Sequence, residues 1–176
     1  MPKDVSNPTR ALLFIAFALV ASAQPPQFDA KHPPRFEDFP VTEKWTPPPA
    51  PIKLATATER MFRTRLTNSA KDPPNFAGHF RFAAWGCGAN CISGALVDLQ
   101  TGVVFPPPLV KVATGPMHFS VCQSAYENSG VEHEIGSRLF ILRCGLNYSG
   151  RLQKNVPAVS YFVWEEDQFR QILSIR

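Results

Sequence analysis

The chain predicts a mainly β domain: an antiparallel meander forming a small sandwich or partial barrel, with one N-terminal amphipathic helix. Three observations carry this. Short β-branched and aromatic runs, each bounded by Gly, Pro, Asn or Asp, recur from residue 79 onward. Two hairpin signals join neighbouring runs: Asp98-Leu99-Gln100-Thr101-Gly102, whose glycine suits a left-handed position, and Glu166-Asp167. Helical periodicity is confined to the stretch after Thr56. The runs place strands at 79–85, 93–98, 103–105, 117–122, 138–144, 160–165 and 169–175. Between the fourth and fifth, 123–136 is polar and reads as a solvated acidic connection containing Glu127, Glu132, His133 and Glu134.

Taken in order, the chain opens with Lys3 and Arg10, an apolar run over 11–20, and Ala21-Ser22-Ala23. That order of charge, apolar core and small residues is a secretory signal peptide over 1–23, cleaved before Gln24. The apolar run is too short for a membrane span, which needs about 20 residues. Its removal leaves no stable membrane span and a soluble periplasmic or secreted protein of 153 residues. The formal charge falls from +4 to +3 with the loss of Lys3, Arg10 and Asp4. This length suits one domain. The charge is modest and scattered, which speaks against a nucleic-acid partner.

Residues 24–53 hold half of the prolines and can form neither a helix nor a central strand. Phe28, Phe36, Phe39 and Trp45 are more than a free linker needs. We therefore expect a flexible tail over 24–34 and, over 35–45, a strap laying aromatic side chains on the domain that occupies 54–176. At Thr56-Ala57-Thr58-Glu59 a capping box starts the helix. Met61, Phe62 and Leu66 form its apolar stripe, while Arg60, Arg63 and Arg65 point to solvent.

All four cysteines, Cys87, Cys91, Cys122 and Cys144, follow the signal, and an even count in an exported chain reads as two disulfides. Three connectivities are possible. The favoured one closes the turn from Cys87 to Cys91 and staples two strands from Cys122 to Cys144. The densest cluster of special residues is 74–91, where an aromatic strand runs into a glycine-rich turn between two cysteines. Alternation puts His79, Arg81 and Trp85 on one face and Phe80, Phe82 and Ala84 on the other. The first set is the candidate binding face; the competing reading is that Trp85 caps the core while His79 bonds a neighbouring loop.

The run Pro74-Asn75-Phe76-Ala77-Gly78-His79-Phe80, then Trp85-Gly86-Cys87-Gly88 and Cys91, then Val97-Asp98 and Thr101-Gly102, resembles an uncharacterised family of small exported bacterial proteins. Ser137-Arg138-Leu139 and Tyr161-Phe162-Val163-Trp164 extend the resemblance. It implies an exported bacterial β-rich domain and transfers no reaction, cofactor or catalytic residue.

Other chemistry is thinner. A thiolate at Cys87 or Cys91 with His79 or His118 as base would make a nucleophile, and Gly86 and Gly88 could supply an oxyanion hole. Export favours oxidation of that pair. Cys87, Cys91, His118 and Cys122 form a legitimate zinc set at unfamiliar spacing, so neither metal nor cofactor is expected. Ser93 and Ser120 lack a nucleophile-elbow pattern, and Asp98 with Glu132 or Glu134 is an acid pair of undefined separation. Asn147-Tyr148-Ser149 matches a glycosylation acceptor, relevant only in a eukaryotic secretory pathway. The expectation is a noncatalytic binding or interaction module with an unknown exported or cell-envelope partner. The alternative is a small hydrolase or transferase using His79 near the Cys87/Cys91 turn.

Overall fold

The computed structural model describes residues 27–43, 45–88, 91–108, 120–123, 130–145 and 157–175, with backbone alone at 87, 88, 91, 120–123, 144, 145, 157 and 158. The signal segment, His118 and the 147–149 acceptor lie outside these residues. The fold is mainly β, and the described residues form two antiparallel sheets with no closed barrel among them.

The first sheet contains β1 (Phe80–Gly88), β2 (Cys91–Asp98), β3 (Val104–Phe105) and β4 (Ser120–Gln123). β1 and β2 are a long hairpin, registered from Phe80 opposite Asp98 to Gly88 opposite Cys91, with a bulge at Cys87. The far edge of β2 is shared. β3 pairs with Leu96 and Val97 and β4 with Cys91 to Ser93, so among the described residues the sheet is three strands wide at each level. The second sheet has the order β5 (Gly130–His133), β6 (Leu139–Gly145), β7 (Pro157–Glu165) and β8 (Gln168–Ile175).

β5 corrects the reading of 123–136 as a loop throughout. Its four residues are all half-buried, so no alternation marks it. What holds it is tertiary: His133 stacks on Phe140 at 5.8 Å, and Glu132 pairs with Arg143 of the neighbouring strand. Both partners lie in β6.

The central core lies between the sheets. Phe80, Phe82 and Leu96 from one meet Phe140, Leu142, Phe162 and Trp164 from the other, with Phe76 among them. This is the period-2 face expected of β1. The other face of β1, carrying Ala83 and Trp85, packs with Ala95, Val97 and Leu99 of the hairpin beneath Leu66 and Phe62.

The helix is broken in two, α1 (Ala57–Met61) and α2 (Arg63–Ser69), at Phe62. The capping box forms as expected: Thr56 Oγ1 accepts from the Glu59 N–H at 3.2 Å, and the Glu59 carboxylate accepts from the Thr56 N–H at 3.0 Å. The stripe does not hold in full. Phe62 packs at a tilt against Trp85, ring centroids 4.9 Å apart, and Leu66 is fully buried, but the break turns Met61 outward to 78 % exposure.

The proline-rich segment is a strap on both sheets. Phe36 and Phe39 pack on Leu139, Ile141, Tyr161 and Val163, the outer face of the second sheet. Ser137 Oγ donates to the Phe36 carbonyl at 2.8 Å. The chain then crosses the end of the sandwich at Val41 to Glu43, and Trp45, Ile52 and Leu54 join the outer core of the first sheet. The Ala50 N–H donates to the Leu99 carbonyl and the Lys53 N–H to that of Gly102. Part of the expected tail is packed too: Phe28 lies on Phe39 at 5.5 Å and Pro34 is buried. Among the described residues no helix is long and apolar enough to cross a membrane.

Candidate functional site

The crossing strap, the start of β1 and the hairpin turns meet at one end of the sandwich. Here the chain makes a three-residue loop: Phe76 and Phe80 exchange backbone hydrogen bonds across Ala77, Gly78 and His79. Ala77 and Gly78 have φ of 42° and 81°, the left-handed region that costs an alanine about 1–2 kcal/mol. Neighbouring chain holds them there. The Gly78 N–H donates to the Ile135 carbonyl at 2.7 Å, and the Ala77 N–H to that of Ser137 at 3.2 Å. Asn75 completes the clasp, its side chain accepting from the Phe82 N–H at 2.7 Å and donating to the Phe82 carbonyl at 3.2 Å. The Pro74-to-Phe80 motif is thus a clasp that threads β1 between strap and second sheet.

The clasp aims His79 along the end of the sandwich. Its ring lies on Phe80 at 4.2 Å, between the Glu43 carboxylate, 3.3 Å from Nδ1, and the Asp98 carboxylate, 3.6 Å from Nε2. Neither approach has hydrogen-bond geometry among the described residues, and Nδ1 is buried. Asp98 is held by its own turn. Its Oδ1 accepts from the N–H groups of Gln100 and Thr101 at 2.8 and 3.2 Å, and Gly102, at φ 77°, closes the loop under the strap.

These residues line an open cleft of about 460 Å³ with Val41, Ala77, Phe80, Trp164, Arg138, Glu165, Glu166 and Asp167. Glu166 and Asp167 form the two-residue turn from β7 to β8, with φ of 49° and 58°. Such a turn prefers Asn-Gly because both positions are left-handed. Two acidic residues stand there instead. Glu165 is held below the usual carboxylate range by its hydrogen bond from Arg170. On the other side of Val41 and Glu43 is an apolar slot of about 520 Å³, walled by Trp45, Pro73, Pro74 and Ile135. Trp45 Nε1 is buried there without a hydrogen-bond partner among the described residues.

The three residues of the expected binding face go to three environments. His79, which precedes β1, borders the cleft. Arg81 turns to the end of α2, donating to Ser69 Oγ at 3.3 Å, the Pro73 carbonyl at 3.2 Å and Asp72 at 3.0 Å. Trp85 is buried under Phe62. The face is covered by helix and strap, whose placement no strand alternation reveals.

Cys87 and Cys91 stand at the opposite end of the hairpin from His79. Cys87 is eight residue steps along the chain from His79, roughly 26 Å when extended. Ser93 is buried in the hairpin and Glu132 is engaged by Arg143. Among the described residues, no group of three or more His, Cys, Asp and Glu could hold a metal ion. Glu43, Arg138, Glu165, Glu166 and Asp167 were not expected at a site. The weak signal for the last two was a hairpin turn written with acids where glycine is favoured.

No model of a known protein family, no curated protein and no solved structure matches this chain.

Proposed function

We propose that the protein is an exported, noncatalytic binding module whose ligand presents a cationic group to the His79 cleft. One observation carries this reading: in a chain with more basic than acidic residues, five carboxylates, those of Glu43, Asp98, Glu165, Glu166 and Asp167, line one cleft against one lining arginine, Arg138, and Arg170 paired with Glu165. Such a concentration disfavours phosphate and carboxylate ligands and focuses potential on a cation. Strain at Glu166 and Asp167 supports it, since left-handed non-glycine residues persist where surrounding structure or function requires them. The adjoining apolar slot would accept an aliphatic or aromatic portion of the same ligand.

The enzymatic reading would use His79 as a base toward water. The described residues lining the cleft include no Ser, Thr, Cys or Lys to act as a nucleophile, and the cysteine turn is at the far end.

The test is calorimetric titration of the exported protein with a hexalysine peptide, using hexaglutamate as control. Binding that weakens with added salt is expected for the first and none for the second. Glu166→Asn with Asp167→Gly should raise stability by about 1 kcal/mol, by giving the turn its preferred residues, while weakening hexalysine about tenfold. Glu37→Gln, on the exposed 3-10 turn over the outer face of the second sheet, should change neither. Hexalysine affinity indifferent to the turn variant would sink the proposal, and steady cleavage or modification of the peptide would favour the enzyme.

A further inference from the structure

We infer that the four cysteines form one defined framework, an inter-sheet bridge from Cys122 to Cys144 and a local bridge from Cys87 to Cys91, both at the end of the sandwich away from the cleft. Strand register assigns the pairs.

On β2, Ile92 and Leu96 belong to the face that packs on the central core, whereas Ala95 and Val97 belong to the outer core. Cys122 is directly opposite Ile92, and residues directly opposite in an antiparallel pair share a face. Its position is therefore on the inward face of the first sheet. On β6, Phe140 and Leu142 point into the same central core. Cys144 follows at the same period of two, opposite Ala158, with no shift in the β6 to β7 register. Its position is on the inward face of the second sheet. β4 and β6 also approach each other, with Cα atoms within 8 Å. A disulfide asks for Cα atoms about 4.4–6.8 Å apart and facing positions.

Cys91 is excluded as the partner of Cys122 although their strands are adjacent. It is one residue from Ile92 and opposite Gln123, so it occupies the outward face. Its neighbour is Cys87, the extra residue in the bulge between Gly86, opposite Ile92, and Gly88, opposite Cys91. Pairing Cys87 with Cys91 closes that bulge across the hairpin. The remaining two positions, 122 and 144, both lie on inward faces, on strands that approach each other.

Each bridge forms by thiol–disulfide exchange with an oxidised dithiol of the export compartment. A cysteine thiolate attacks the carrier disulfide, and the second cysteine displaces the carrier as its thiolate. The chain loses two protons and two electrons, and the carrier leaves as the reduced dithiol.

The framework is tested by alkylating the native exported protein without reduction, digesting it with trypsin and mapping the fragments by mass. Cys122 falls in fragment 112–138, Cys144 in 144–151, and Cys87 with Cys91 in 82–111. The expected result is 112–138 joined to 144–151, with 82–111 alone and lighter than its dithiol by two hydrogens. Alkylation of the four thiols, or 82–111 joined to either other fragment, overturns the inference. Cys144→Ser should expose one alkylatable thiol, at Cys122, and leave 82–111 unchanged. Exchange of Cys122 onto Cys91 in that variant would also overturn it.

Discussion

Gly78→Ala probes the clasp that joins strap, strand and cleft. Gly78 has φ of 81°, and a Cβ built there would stand 2.8 Å from the Glu43 carbonyl oxygen and 3.0 Å from Val41 Cγ1. The left-handed backbone costs an alanine about 1–2 kcal/mol. Pushing the strap back by a few tenths of an ångström adds about 1–2 kcal/mol, as in other overpacked sites. Restriction of the unfolded chain by alanine returns about 0.4–1 kcal/mol. The net loss should be about 2–3 kcal/mol, read as a lower urea midpoint at unchanged m-value. Gly86→Ala is the matched control, since a Cβ at Gly86 meets nothing within 4 Å and its φ is not positive. The strap carries Glu43 into the cleft, so Gly78→Ala should also weaken cation binding. Losses at the two glycines within 0.5 kcal/mol of each other, a margin typical of surface substitutions, would refute the threaded clasp.

Two further outcomes follow from burial and charge. Phe82 is 3 % exposed, edge-on to Phe140 at 4.8 Å, and Phe82→Ala should cost about 3–5 kcal/mol, whereas Arg81→Ala, which loses the bonds to Ser69, Asp72 and Pro73, should cost only about 0.5–1.5 kcal/mol in the same denaturation assay. Equal losses would contradict the observed strand phase. His133 is held below the ordinary histidine range chiefly by burial, with Arg81 adding repulsion against a backbone hydrogen bond to Asn75 that acts the other way. The unfolded chain therefore takes up the proton first. Stability should fall as pH drops from about 6.5 toward the lowered folded pKa and then level off. In His133→Gln that fall should be smaller, and a denaturation series showing identical slopes for the two proteins would refute the assignment.

Much of the fold was legible because strands and turns are local. The Phe80/Phe82 alternation, the capping box at Thr56, the Asp98 turn and the aromatic strap each arise from interactions within a few residues or from simple amphipathic period. β5 was hidden because Glu132 and His133 become strand residues only through partners on β6. Met61 was misplaced because the break at Phe62 interrupts helical phase. The proposed site was the least legible part, since Glu43, His79, Asp98, Glu165, Glu166 and Asp167 are brought together by the crossing strap and three separate turns.

The stretch from residue 74 to 91 shows where that boundary falls. Its residue types alone determined an alternating strand running into a glycine-rich turn between two cysteines, because side-chain period and glycine's turn preference are properties of the local chain. Only the tertiary structure decided that Arg81 and Trp85 are covered and that His79 faces a carboxylate-lined cleft. It also separated that cleft from the cysteines by the length of the hairpin. Those outcomes depend on which sheet, helix and strap pack on each face, and such packing is set by the chain as a whole.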